Sequence, residues 1–228
     1  MYQLFIANKN YSSWSLRPWL LLTELGIAFE EKQVQFLSND NAAVFKDFAP
    51  NAKVPCLHDG GWVVWDSLAI VEYLAERHSG VWPADAKARS WARSASAEMH
   101  SGFTGLRSYC PFHAGGRFDK SPLPAAVMQD LKRISELWQQ GLDSFGGPYL
   151  AGANFSAVDA FYAPVVFRCQ TYGLPLSEQA ADYARFLLQK PAMQLWYQQA
   201  LAEPYREAEH EAAALGQGKM LADYRVSG

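Results

Sequence analysis

Two rhythms of hydrophobic and polar positions divide this chain. Residues 2–8 (YQLFIAN) form a short apolar run that predicts a buried strand, and residues 9–14 a polar loop. Over 15–26, Leu16, Trp19, Leu20 and Thr23 recur on one helical face, and Gly26 supplies a stop. Pro18 falls in the first turn, where its missing N–H costs little. Residues 28–35 alternate as a strand would, and 43–48 suit a short helix. Residues 54–58 and 62–65 predict two strands around Asp59-Gly60-Gly61, a hairpin signal. A helix over 67–78 follows, with Leu68, Val71 and Ala75 on one face and Glu72 and Glu76 on another.

The order is β-α-β-α-β-β-α, with the first crossovers implying parallel strands and the last pair antiparallel. It predicts an α/β N-terminal domain of thioredoxin-like type over residues 1–78. Residues 79–86 (SGVWPADA) read as a linker, and residues 87–228 as an all-α domain. Its predicted helices are 87–112, 123–145, 156–170, 177–189 and 191–213, separated by turn clusters at Gly115-Gly116, Gly146-Gly147-Pro148 and Gly173-Leu174-Pro175. Ser156 and Asp159 fit a capping box, and Pro164 should kink the helix that follows. From Gly216 the tail is polar and mixed, without a predicted element.

Composition narrows the class. Half of the 228 residues are hydrophobic, enough for a sizeable core, and the net charge is −3 without a basic cluster, which argues against nucleic acid as a partner. No run of 18 apolar residues predicts a membrane span, and MYQLFIANKN does not resemble a signal peptide. Cys56, Cys110 and Cys169 are odd in number and widely spaced, so neither disulfides nor a metal or redox pair is expected. The five histidines show no ligand spacing, so no metal is expected either. The expected location is the reducing cytoplasm.

Three motifs carry chemistry. The first is the hydroxyl-rich loop Asn10-Tyr11-Ser12-Ser13-Trp14-Ser15 ahead of a helix containing Arg17. The second is Lys53-Val54-Pro55, followed by Asp66-Ser67 at a helix start. A cis Val54-Pro55 bond would turn the Val54 amide and carbonyl toward a peptide-like ligand, and unpaired N–H groups at the Asp66-Ser67 helix start suit a carboxylate. The third is Ser156-x-x-Asp159. In order and spacing these motifs resemble the cytosolic glutathione transferase family over nearly the whole chain. The loop is nearest its serine-type, zeta-like bacterial branch, with Tyr-Ser-Ser-Trp-Ser where that branch carries Ser-Ser-Cys.

The resemblance implies that glutathione is a co-substrate and that a loop hydroxyl stabilises its thiolate. Ser13 is the first candidate and Ser12 the second, with Asn10 and Tyr11 as alternatives. It further implies a backbone clamp at Val54 and Pro55, Lys53 facing the glycine carboxylate, Ser67 the γ-glutamyl carboxylate and Asp66 the ligand amine. A free thiol with a pKa of about 8.5 is roughly 3% ionised at pH 7, so full ionisation gains at most about 30-fold. Holding the electrophile against sulfur must supply the rest. On a continuous helix over 87–112, Met99, Phe103, Leu106 and Arg107 share one face that would line a pocket for a small hydrophobic electrophile, with Tyr109 and Phe112 further along, plain core packing being the equal alternative for each apolar member. His100 and Arg107 could attract an acidic substrate. The resemblance also implies a homodimer. Other readings are a glutathione-dependent isomerase or peroxidase, and a non-catalytic binding protein on the same fold. Thiol-disulfide exchange is disfavoured because the 10–15 loop contains no cysteine.

Overall fold

The structure is a computed structural model that describes residues 1–36 and 41–225. Its first half comprises β1 (Tyr2–Ile6), α1 (Ser13–Glu24), β2 (Phe29–Gln33), α2 (Asn41–Phe45), β3 (Cys56–Asp59), β4 (Trp62–Trp65) and α3 (Ser67–Ala75). The strands form one sheet in the order β2-β1-β3-β4. β1 and β2 run parallel, with Leu4 opposite Glu31, as a strand-helix-strand unit requires. The connection through α2 brings β3 to the other edge of β1 in the opposite direction, with Leu4 opposite Leu57, so the parallel expectation holds for the first pair alone. The β3-β4 hairpin is antiparallel as expected. Alternate residues Leu4 and Ile6 are fully buried in the core that also takes Leu16, Leu20 and Leu21 of α1.

The second half comprises α4 (Ala86–Ser101), α5 (Thr104–Tyr109), β5 (Gly116–Asp119), α6 (Ala125–Phe145), α7 (Ala157–Tyr172), α8 (Glu178–Leu188), α9 (Pro191–Ala202), α10 (Ala208–Leu215) and β6 (Lys219–Asp223). Helix α7 is the central element: nearly all its residues are buried, and it packs against α1 and α4. It passes through Pro164 without interruption. No described helix is long and apolar enough to cross a membrane.

Three expectations are corrected. The helix expected over 87–112 is two helices, because Gly102 leaves helical geometry and Phe103 adopts φ 54°. The helix expected over 191–213 breaks in the 203–207 segment, which contains Pro204, since proline cannot donate to the preceding turn. The featureless tail instead forms β6, antiparallel to β5 with an irregularity between Arg117 and Phe118. Its last residues, 226–228, lie outside the described residues.

The capping box is present at the start of α7. Asp159 accepts from the Ser156 amide at 3.0 Å, and also from the Leu150 amide at 3.0 Å and the Tyr183 hydroxyl at 2.9 Å. Burial pushes its carboxyl up to about 6 despite those bonds. One buried side chain thus ties α7 to the preceding loop and to α8. Asp159→Ala strands several buried donors and should cost about 3 kcal/mol in urea-unfolding free energy. A loss of a few tenths would show that the cap is dispensable.

Candidate functional site

The loop joining β1 to α1 is polar yet buried: Asn8, Lys9, Asn10 and Ser12 are each 4% exposed or less. Its groups therefore need protein partners. Glu203, just after α9, accepts from the Lys9 amide at 2.7 Å and the Asn10 amide at 3.2 Å. The Lys9 ammonium meets Glu31 at 2.7 Å and Gln199 at 2.6 Å, and the Trp196 indole donates to the Lys9 carbonyl at 3.0 Å. Asn10 accepts from the Gly115 amide at 2.8 Å through its side chain and from the Ala114 amide at 3.0 Å through its carbonyl. The Tyr11 hydroxyl donates to Glu211 of α10 and accepts from Arg225 at 3.1 Å. Arg225 is paired in turn with Glu211 and Asp223.

These bonds sort the loop's candidate hydroxyls. Burial and the Glu211 hydrogen bond push Tyr11 up to about 12, and its oxygen is fully engaged. Asn10 is committed to Gly115 and to His113, at 3.3 Å. Ser12 caps α1, with its hydroxyl 2.7 Å from that of Ser15. Ser13 is half-buried, and its hydroxyl makes no side-chain hydrogen bond among the described residues.

Ser12 and Ser13 open onto a cleft of roughly 640 Å³ between the sheet domain and the helices. Lys53 and Val54 also line it, Lys53 exposed and without an ion pair among the described residues. Val54 lies just outside the ladder that begins at Cys56, and its peptide bond to Pro55 is cis, as the sequence suggested. Arg107, Pro111, Phe112, Arg168 and His210 complete the helical side. Pro55, Asp66 and Ser67 do not line this cleft. Asp66 caps α3 from φ 72°, a strained conformation for a residue with a side chain, by accepting from the Leu68 amide at 2.8 Å. The buried Ser67 hydroxyl accepts from Arg17 at 3.4 Å.

Trp14 links the two regions. The Arg17 guanidinium lies 4.1 Å from its ring centroid and that of Arg107 4.7 Å, while His100, itself 3.5 Å from Asp66, meets it edge-on at 5.2 Å. Arg17 is buried with its Nε–H unpartnered. Burial, then the charges of Arg107 and Arg168, push its pKa down. Arg17, Arg107 and Arg168 form no ion pair among the described residues.

The pocket face expected from Met99, Phe103, Leu106 and Arg107 is not formed. Met99 and Leu106 are fully buried in the core and Phe103 is nearly so, because the break at Gly102 turns α5 away from the line of α4. Arg107 alone of the four reaches the cleft. Sequence reasoning missed Trp14, Arg168 and His210. Trp14, standing within the quoted loop motif, was the one with a local signal. No group of three or more potential metal ligands occurs among the described residues.

The fold is a mixed α/β sheet domain followed by a helical domain, with the cleft between them. The chain matches "Glutathione S-transferase, N-terminal domain" over residues 11–77 and "Glutathione S-transferase, C-terminal domain" over residues 90–199, and it belongs to the glutathione S-transferase family. It is 29% identical over 202 residues to a probable maleylacetoacetate isomerase of Caenorhabditis elegans, covering 80% of this chain and 90% of that one. It is 25% identical to a stringent starvation protein A homolog of Pasteurella multocida, covering 69% of this chain and 71% of that protein. Among solved structures, a glutathione transferase homolog from Burkholderia GL BGR1 with bound glutathione superposes with a TM-score of 0.64 at 21% identity, covering 87% of this chain and 97% of that one.

Hydrogen bonds from His113, Arg225 and Tyr11 outweigh burial and hold the Glu211 carboxyl well below its ordinary value. Its stabilising contribution is therefore complete above the unfolded carboxyl value of about 4.3 and is lost as pH falls below it. Glu211→Gln should lower the melting temperature at neutral pH and flatten the acid limb of a stability-pH curve. An unchanged acid limb would place the loss of stability elsewhere.

Proposed function

We propose that this chain is a glutathione transferase that holds glutathione along Lys53, Val54, Pro55, Asp66 and Ser67 and favours its thiolate through Ser13. The observation that carries the reading is the free hydroxyl of Ser13 in the cleft, beside three neighbours whose polar groups are committed elsewhere. A hydrogen bond to the charged form of a thiol lowers its pKa, and Ser13 is the first residue of α1, where the helix field adds to that effect. The Val54 amide and carbonyl, free of the ladder, suit an extended peptide. The start of α3, with the Ser67 hydroxyl polarised by Arg17, suits the γ-glutamyl carboxylate. Residues 1–78 would then bind glutathione, 79–86 link, and 87–228 receive the electrophile. Exposed Trp62 and Trp65 on edge strand β4 offer an apolar patch for the homodimer. The reaction belongs in the cytoplasm, where glutathione is reduced.

The electrophile side is less apolar than the sequence suggested. Arg107 and Arg168 line it with no carboxylate partner, so we read the second substrate as one that carries a carboxylate. That favours addition to, or isomerisation of, an unsaturated acid, in keeping with the isomerase name of one relative.

Calorimetry should show glutathione binding to the native protein and about tenfold weaker binding to Ser67→Ala. Ser13→Ala should bind glutathione normally and lose up to about 30-fold in kcat/KM at neutral pH. No binding by the folded native protein at millimolar glutathione would sink the proposal. Arg107→Ala should raise KM for maleate by about tenfold and leave chlorodinitrobenzene unaffected. Equal effects on both substrates would remove the acidic-substrate reading.

A further inference from the structure

Helix α10 lies beyond both family matches, which end at residue 199, yet His210 stands on the wall of the cleft that holds Ser13. Its position is built rather than incidental. The His210 ring stacks on Phe36 at 4.7 Å between centroids and lies against Tyr11 at 5.1 Å. Its Nδ1 is 2.7 Å from a carboxylate oxygen of Glu207, a side chain only 2% exposed. Burial works against the Glu207 charge, but hydrogen bonds from the amide and ring of His210 hold its carboxyl below the ordinary value. An ionised carboxylate can only accept, so Nδ1 carries the proton. In the neutral ring Nε2 then presents its lone pair, and it has no protein partner among the described residues. A fixed imidazole backed by a buried carboxylate is the arrangement that serves as a general base.

We propose that His210, oriented by Glu207, is the proton-transfer residue of the cleft, taking the proton of the glutathione thiol and returning it to the product. The inference rests on the glutathione reading above. In the forward step Nε2 accepts the S–H proton. The thiolate, hydrogen-bonded by Ser13, forms a C–S bond to one alkene carbon of an unsaturated acid. The alkene π pair moves to the neighbouring carbon, and the imidazolium returns the proton there. The ring ends neutral, one thiol has added across one double bond, and no oxidant or reductant is required. Glu207 is a positioning residue, since it acts through the ring. The other charged and titratable groups facing this space are Tyr11 of the loop, Lys53 before β3, Arg107 of α5 and Arg168 of α7. Tyr11 is held by Glu211 and Arg225, and Lys53, Arg107 and Arg168 can only donate, so the acceptor left open in this group is Nε2 of His210.

The test is the pH dependence of kcat and kcat/KM for glutathione with maleate, together with the pH titration of bound thiolate absorbance. Native protein is compared with His210→Phe, which keeps the ring stacking, His210→Ala with added imidazole, and Glu207→Gln. The expected result is a fall in kcat of about 10- to 100-fold in His210→Phe with glutathione affinity retained. Imidazole should restore His210→Ala in a concentration-dependent way. In Glu207→Gln kcat should fall while KM and glutathione affinity stay near native, because an amide fixes the ring and its tautomer less firmly than the carboxylate does. Native-like pH profiles and rates in His210→Phe, or no rescue of His210→Ala by imidazole, would overturn the role of His210 while leaving glutathione binding intact. Failure of the native protein itself to bind glutathione would overturn both readings, and calorimetry separates the two cases.

Discussion

A buried polar loop governs this structure. Residues 8–12 carry asparagine, lysine and hydroxyl groups into a region that water does not reach, and each unpaired group there would cost on the order of 1–3 kcal/mol. The sheet to which the loop belongs supplies Glu31 to the Lys9 ammonium and leaves most of the rest unsatisfied. Their partners come from Ala114 and Gly115, from Trp196, Gln199 and Glu203, and from Glu211 and Arg225. The loop at the head of α1 can therefore hold its shape only when the far end of the chain is in place. That dependence explains why β6 exists: pairing with β5 brings Asp223 and Arg225 back to the loop.

The same constraint shapes the cleft. With Asn10, Tyr11 and Ser12 tied inward, Ser13 on the first turn of α1 keeps a hydroxyl without a side-chain partner among the described residues. Trp14 and Arg17 on that helix join the cleft to the start of α3 by stacking and a hydrogen bond rather than by a salt bridge. Arg17 and Arg107 against one tryptophan, with the charge of Arg168 also acting on Arg17 and no ion pair among the described residues, are an unfavourable arrangement in isolation. Perturbed charges of this kind are concentrated at functional sites, though structural networks produce them too.

Helix α10 bears on both the loop and the cleft. The family matches end before it, yet it contributes Glu211 to the loop and His210 to the cleft. Fold similarity to other glutathione transferases says nothing about these residues, because function resides in sites grafted on the fold. Their meaning follows from what they touch.

Much of the architecture was legible locally. The apolar alternation of β1, the stop at Gly26, the Asp59-Gly60-Gly61 hairpin and the Ser156–Asp159 cap each work over a few residues, where periodicity and turn chemistry act. The motifs at 10–15, 53–55 and 66–67, which carried the family resemblance, are local in the same way. What failed was the extension of local rules: a helical pattern was carried through Gly102 and Pro204, so Met99, Phe103 and Leu106 were assigned to a pocket when they belong to the core. The sequence alone settled the elements of residues 1–78 and the family, because helix, strand and cap preferences are short-range. The tertiary structure alone decided the antiparallel entry of β3, the β5-β6 pair, the convergence of Arg17, Arg107 and Arg168, and the delivery of His210 to the cleft. Those depend on groups far apart in the chain meeting to satisfy buried polarity, and no local pattern encodes such a meeting.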